Sequence, residues 1–225
     1  MGFIYEPRPS DSPIAETIMQ GRSVSAGIVI RPAACNWHLV MSKYEGHIQL
    51  MVVGPWTASG VLPYVEGAEL LWIKLRLGTF MPHLPISQFL DSETILPSAT
   101  SKSFWLKGSA YQFPNFDNAD TFLDRLARDG ILTQDPIVGS VLQGHRLDLS
   151  PRTVRLRFAQ ATGLTQNHIQ QVERAQRAAA LLRHGIAIPD VAFDLGYYDQ
   201  PHLTHSLKRW IGYTPAQIAE PNDPG

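Results

Sequence analysis

Residues 150–165, SPRTVRLRFAQATGLT, and residues 188–218, IPDVAFDLGYYDQPHLTHSLKRWIGYTPAQI, decide how this chain is read, because they carry the same punctuation 49 residues apart. Ser150 answers to Asp199 as a helix N-cap, Val154 to Leu203 and Phe158 to Leu207 as inward positions, and Gly163 to Gly212 as the stop; Thr165 then answers to Thr214 and Ile169 to Ile218. A serine, threonine or aspartate oxygen accepts from the free N–H groups of a first helical turn, and glycine tolerates the left-handed backbone just past a helix end. Proline suits the first helical position, as at Pro151. Between the matched positions the residues differ freely: Arg152 against Pro201, Thr153 against His202, Arg155 against Thr204, Leu156 against His205. A kept scaffold with a varied exposed face is what two copies of one supersecondary unit show when they meet different stretches of one partner.

The second copy is preceded by a short helix, Pro189 to Leu195, in which Val191, Ala192 and Leu195 face inward; Ala192 permits close helix approach and Gly196 a tight turn. This is a helix-turn-helix, whose second helix is sized for a major groove about 12 Å wide. A plain helical bundle with shared caps is the competing reading, since the same geometry occurs in proteins that bind no DNA. Net charge is −1, but it is unevenly spread: residues 1–144 carry 10 basic and 13 acidic side chains, whereas 145–185 carry seven arginines against Asp148 and Glu173. That segment is locally +5. Arginine suits bidentate contact to phosphate or guanine, although a solvated arginine-rich helix has the same composition.

Upstream, from Ala26 to about Phe113, β-formers are broken repeatedly by glycine and proline, which predicts short strands. GAELLWIKLRLG alternates Leu71, Ile73, Leu75 and Leu77 on one face with Trp72, Lys74 and Arg76 on the other, a half-buried strand. After Pro114, Asp117 or Asn118 caps a helix with Phe122, Leu123 and Leu126 at helical spacing, ended by Gly130. A short helix opens at Pro136, the next starts at Ser150–Pro151, and a long one over 166–184 carries Ile169, Val172, Ala175, Ala179 and Leu182, with Gly185 as its exit. The fold class expected is α+β: a β-rich N-terminal sensor-like domain over 1–115, a helical connector over 116–136, an all-α domain over 137–219 with two helix-turn-helix units joined by a long linker helix, and a tail over 220–225.

The stretch 137–219 resembles the DNA-binding domain of the AraC/XylS family of transcription regulators, most closely from Ala192 through Gly196, Tyr197, Gln200, His202, Leu203, Lys208, Gly212, Thr214, Pro215 and Ile218. The resemblance implies a module whose two units read successive major-groove segments on one face of a duplex, with a spacing of about 34 Å set by the linker helix. By position it assigns Arg152, Thr153 and Arg155 of the first unit, and Gln200, His202, Thr204 and His205 of the second, to bases or nearby phosphates. Arg157, Lys208 and Arg209 fit phosphate contacts. Two departures stand out. Where the family usually has an arginine in each recognition helix, this chain has Leu156 and His205, so base preference is not carried over. Where the second copy has Ala192 and Gly196, the first has Gln143 and Leu147, which predicts a brief positioning helix and an unusual turn. Residues 186–225 hold only two basic against five acidic side chains, so affinity is expected to lean on the first unit and on a second protomer.

In that family the companion domain senses a small molecule, mediates dimerisation, or both, which implies an effector and a homodimer as partners besides promoter DNA. Trp37, Trp56, Trp72 and Trp105 are pocket-lining candidates, against the commoner role of tryptophan in a core. No metal or cofactor is expected: His38, His47 and His83 lack the close ligand spacing of a metal site, and Cys35, the single cysteine, provides no zinc cluster of the kind a DNA-alkylation repair sensor needs. No serine elbow or phosphate loop occurs, so an enzyme, such as a metal-dependent barrel, is the weaker alternative, beside a protein-interaction factor with a degenerate helix-turn-helix. No run approaches the roughly 20 apolar residues of a membrane span, and the opening MGFIYEPRPSDSP lacks a basic then apolar leader, so a cytoplasmic location is expected.

Overall fold

In the computed structural model, which describes residues 2–84 and 86–220, the alternating run over 69–77 is strand β7 (Glu69–Leu75) inside a six-stranded antiparallel sheet. The strand order is β1 (Phe3–Pro9), β2 (Ala15–Ser23), β7, β4 (His38–Tyr44), β5 (His47–Val53) and β9 (Glu93–Ile95). Leu71, Ile73 and Leu75 are buried as the alternation requires, but the strand stops there and Leu77 is only partly buried in a second core. Among the described residues three smaller sheets accompany it: β3 (Gly27–Arg31) with β6 (Gly60–Tyr64), β8 (Thr79–Phe80) with β13 (Thr133–Gln134), and β10 (Ser98–Thr100), β11 (Ser103–Leu106) and β12 (Ser109–Gln112).

Register shows how the inner face of the large sheet is used. One row, Ile18, Ile73, Leu39 and Val52, is fully covered. Two residues along each strand, Gln20, Leu71, Met41 and Leu50 form the next row, and the one beyond it, Arg22, Glu69 and Lys43, is polar. Helix α1 (Ala119–Arg128) covers the buried rows with Phe122, Leu123 and Leu126, the three residues its spacing selects. Asn118 sits at its N-cap but makes no side-chain cap bond; its amide oxygen accepts from the Asn115 N–H at 2.7 Å instead. Arg8 ties β1 to this helix through Asp120, at 2.7 Å. Of the expected tail 220–225, residues 221–225 lie outside the described residues.

After β13 the chain is helical: α2 (Pro136–Leu142), α3 (Pro151–Thr162), α4 (Gln166–Arg183), α5 (Ile188–Asp194), α6 (Gln200–Trp210) and α7 (Pro215–Ala219). These helices build a second core from Phe158, Ile169, Val172, Ala175, Ala179, Leu182, Val191, Leu203, Leu207 and Ile218, and Ala33 and Cys35 of the β-rich part belong to it. Burial pushes the Cys35 thiol up to about 12, so it packs as a small apolar group.

Among the described residues His38, His47 and His83 belong to no group of three or more His, Cys, Asp or Glu side chains close enough to share a metal. His38 and His47 lie at opposite ends of the β4–β5 pair, where His38 is opposite Val53 and His47 opposite Tyr44. Buried His38 accepts from the Trp72 indole N–H at 2.7 Å through Nδ1, which fixes it as the neutral Nε2–H tautomer. Burial first, then the nearby Lys74 and Arg31 charges, hold its pKa down to about 3. Because the folded value lies below that of the unfolded chain, near 6.5, the neutral ring contributes stability above about pH 6.5. His38 then contributes a fall of about 1 kcal/mol per pH unit as pH drops from 6.5 towards 3, to which His83 and His168, also held low mainly by burial, add in the same direction. Urea midpoints taken between pH 7 and pH 4 should show this slope, and His38→Leu should flatten it; an unchanged slope in the variant refutes the assignment.

Candidate nucleic-acid interface

The four caps read over residues 150–214 are present. Ser150 Oγ accepts from the Thr153 N–H at 3.1 Å, and the Asp199 carboxylate from the His202 N–H at 2.8 Å. Thr165 caps α4 through the His168 N–H at 3.1 Å, and Thr214 forms a full capping box with Gln217. Gly163 closes α3 at φ 70°. Phe158 from α3, and Leu203 and Leu207 from α6, turn into the core, leaving Arg152 and Arg155 on α3 and Gln200, His202 and His205 on α6 exposed. A cap is worth about 1 kcal/mol, so Ser150→Ala and Asp199→Ala should each lower stability by that amount in thermal melts, against no change for Ala216→Ser on the exposed face of α7.

The two units differ in construction. In the second, α5 is joined to α6 by five residues, 195–199, pinned by buried Tyr197. Its hydroxyl lies 3.2 Å from Ser206 Oγ, its ring meets His202 edge-on, and the Arg174 guanidinium sits 4.3 Å over it. In the first unit the join from α2 to α3 takes eight residues, 143–150, with no buried aromatic in it. The 49-residue offset would put the positioning helix at 139–145; it lies three residues earlier, at 136–142. A different contact holds it: Arg157 donates from Nε and Nη2 to both oxygens of Asp135, at 3.0 and 2.9 Å, while Asp135 also caps α2 through the Ile137 N–H.

Arg152 and Arg155 are exposed on α3, with Thr153 half-exposed and its hydroxyl 2.9 Å from Ser150 Oγ. Arg157 is committed to Asp135 and not presented freely with them. On α6, Gln200, Pro201, Thr204, His205 and Lys208 line one open groove along the exposed face. His202 stands beside it, its Nδ1 accepting from the Tyr198 N–H at 3.3 Å, so it shapes the turn as well as the surface. Thr204 returns its hydroxyl to the Gln200 carbonyl, and the Arg209 guanidinium lies 4.4 Å from the Trp210 ring centre. The Asp135–Arg157 pair spans 22 residues and carried no sequence signal.

In the β-rich part a groove of about 780 Å³ lies where the Gln20, Met41 and Leu71 row meets Asn115 and Phe116, just before α1. Ile4, Met41, Leu70, Leu71 and Phe116 give it apolar walls, and Glu6, Arg22, Glu66 and Glu69 supply charge. None of the four tryptophans considered for a pocket lines it: Trp37 is in the core, Trp72 is held on His38, Arg31 stacks on Trp56 and Trp105 is half-exposed elsewhere.

Residues 144–220 match the family described as a helix-turn-helix domain. Over 73 residues the chain is 41% identical to the HTH-type transcriptional regulator VirS of Mycobacterium tuberculosis, covering 32% of this chain and 21% of VirS. Over 79 residues it is 33% identical to the HTH-type transcriptional activator RhaS of Escherichia fergusonii, covering 35% and 28% of the two chains. The match therefore spans less than a third of the length of either relative. ToxT of Vibrio cholerae overlays on 97% of this chain and 98% of its own, with 11% identity and a TM-score of 0.41, too loose a likeness to argue from. In the two capped helices, the linker between them and these matches, residues 144–220 are a helix-turn-helix domain of the AraC/XylS type.

Proposed function

We propose that the chain is a sequence-specific DNA-binding transcription regulator of the one-component kind. The observation that supports it best is the pair of capped helices, α3 and α6, each packed by one side and exposed on the other, joined by the 18-residue α4. That linker is about 27 Å long at 1.5 Å per residue, within reach of the groove repeat of about 34 Å once the helices' own widths are added. Arg152, Thr153 and Arg155 read or anchor the first groove segment; Gln200, His202, Thr204 and His205 read the second; Lys208 and Arg209 hold phosphate, as Arg157 does where it can leave Asp135. Residues 1–115 serve as the effector or dimerisation domain, with 116–136 connecting it to 137–219, and the groove bounded by Met41, Leu71 and Phe116 is the effector site.

Footprinting the purified protein on its own upstream DNA tests this. A protected stretch covering two successive major-groove segments is expected, with binding that weakens steeply as salt rises. No protection, together with salt-independent binding to random duplex, refutes it.

A further inference from the structure

The linker helix is not the one structure joining the two reading helices; a strap of the β-rich part touches the C-terminal end of each. At α3, a Cβ built on Gly163 would lie 3.0 Å from both Ile86 Cγ1 and Leu90 Cδ2, so these side chains close directly over the helix end. At α6, the Ala33 N–H donates to the Trp210 carbonyl at 2.7 Å, the Ser59 N–H to Arg209 at 2.9 Å, and the Ser59 hydroxyl to Lys208 at 3.0 Å. The last carbonyls of a helix have no partner within it, so the end of α6 is completed by Ala33 and Ser59 from the β-rich part of the same chain. Ile30 and Ser59 pack on Gly212, immediately beyond.

The two contact points are joined by short, specific bonds. Asp91 follows Leu90, and its carboxylate accepts from the Thr57 N–H at 2.6 Å and the Thr57 hydroxyl at 2.5 Å. The Asp91 N–H donates to the Pro55 carbonyl at 2.9 Å, and Asp91 adopts a left-handed φ of 54° to do so. Trp56 then exchanges backbone bonds with Ala34, at 2.8 and 3.1 Å, which locks this loop to the Ala33 contact.

We propose that this strap, through Asp91 and Thr57 as positioning residues, fixes the separation and relative rotation of α3 and α6, and so sets the spacing of the DNA site that the chain accepts. The inference rests on the two-helix DNA reading above. Held at one point, by α4, the two heads can swivel; held at two, they are rigid, and a rigid pair tolerates only one groove separation. Asp91→Ala removes both acceptors for Thr57 without touching either reading face, and Thr57→Val removes one bond while keeping the other.

Two measurements test it. In the first, affinity is compared on the preferred site, on sites with one or two base pairs inserted between its halves, and on a duplex holding one half only. The wild type should lose at least about tenfold per insertion; Asp91→Ala should bind the preferred site about tenfold more weakly, lose less than about threefold on insertion, and keep its half-site affinity, with Thr57→Val between the two. A merely destabilising change would lower all three affinities alike. In the second, which needs no DNA, spin labels placed by Gln160→Cys and His205→Cys report the distance between the helices, the buried Cys35 staying unlabelled. A narrow distribution that broadens in Asp91→Ala or Thr57→Val is expected. An unchanged distribution and wild-type spacing dependence in both variants overturn the strap but leave the DNA reading intact. A wild type that prefers no sequence overturns both.

Discussion

Gly54→Ala is expected to lower stability by about 3 kcal/mol, at the upper end of what inserting a methyl into a packed interior costs. Gly54 is buried at the end of β5, and a Cβ there would lie 1.7 Å from the Phe89 carbonyl oxygen, 2.6 Å from its carbonyl carbon and 2.9 Å from its Cβ. The obstacle is backbone, so no rotamer change relieves it. The Gly54 N–H also donates to the Ser92 carbonyl at 3.1 Å, so pushing residues 89–92 away breaks a bond and carries Asp91 off Thr57. In a chain of this size the melting temperature should fall by roughly 10 °C, followed by circular dichroism. Gly139→Ala provides the control: it lies within α2 with no atom near the new methyl, and should stabilise by about 0.5–1 kcal/mol. Equal melting temperatures for Gly54→Ala and wild type would refute the close approach.

The second large effect is on binding. Arg152→Ala with Arg155→Ala should weaken affinity for the preferred site by about 3 kcal/mol, on the order of 100-fold, if each arginine holds phosphate or guanine. The slope of log affinity against log salt should fall by about 1.8, because two fewer counterions are released per complex. The reason for placing the weight here is charge: the first unit lies in the segment with seven arginines, while residues 186–225 have two basic and five acidic side chains. Replacing Gln200 and His205 by alanine should change which sequences are preferred more than how tightly DNA is held. Both arginines are exposed and outside the core, so the double variant should melt with the wild type. Unchanged affinity and salt slope would favour a factor whose first unit meets protein instead of DNA.

Much of the helical half was legible because its signals are local. Ser150, Thr165, Asp199 and Thr214 each act on an N–H three residues away, and Gly163 and Gly212 end helices by their own backbone freedom. The inward set Phe158, Ile169, Val172, Leu203 and Leu207 followed from helical period alone. Asn118 marks the limit of that logic: it stands at the right position, yet its side chain finds a nearer donor in the Asn115 N–H. The tryptophans mark another. Composition suggested a pocket, but which way each ring points depends on strand register, and register put Trp72 on His38 and left the groove to Met41, Leu71 and Phe116.

By itself, then, the sequence determined the two matched helices, their caps, the faces they turn outward and the uneven charge between them, since these depend on neighbours within about four residues. Only the tertiary structure decided how the first unit is held and how the two heads are joined. Arg157 meets Asp135 across 22 residues, Asp91 meets Thr57 across 34, and Ser59 reaches the end of α6 across 149. Such bonds have no period and no spacing rule. They exist because folding the sheet brings one strap of backbone, with its unpaired N–H groups, against helix ends whose carbonyls lack partners of their own.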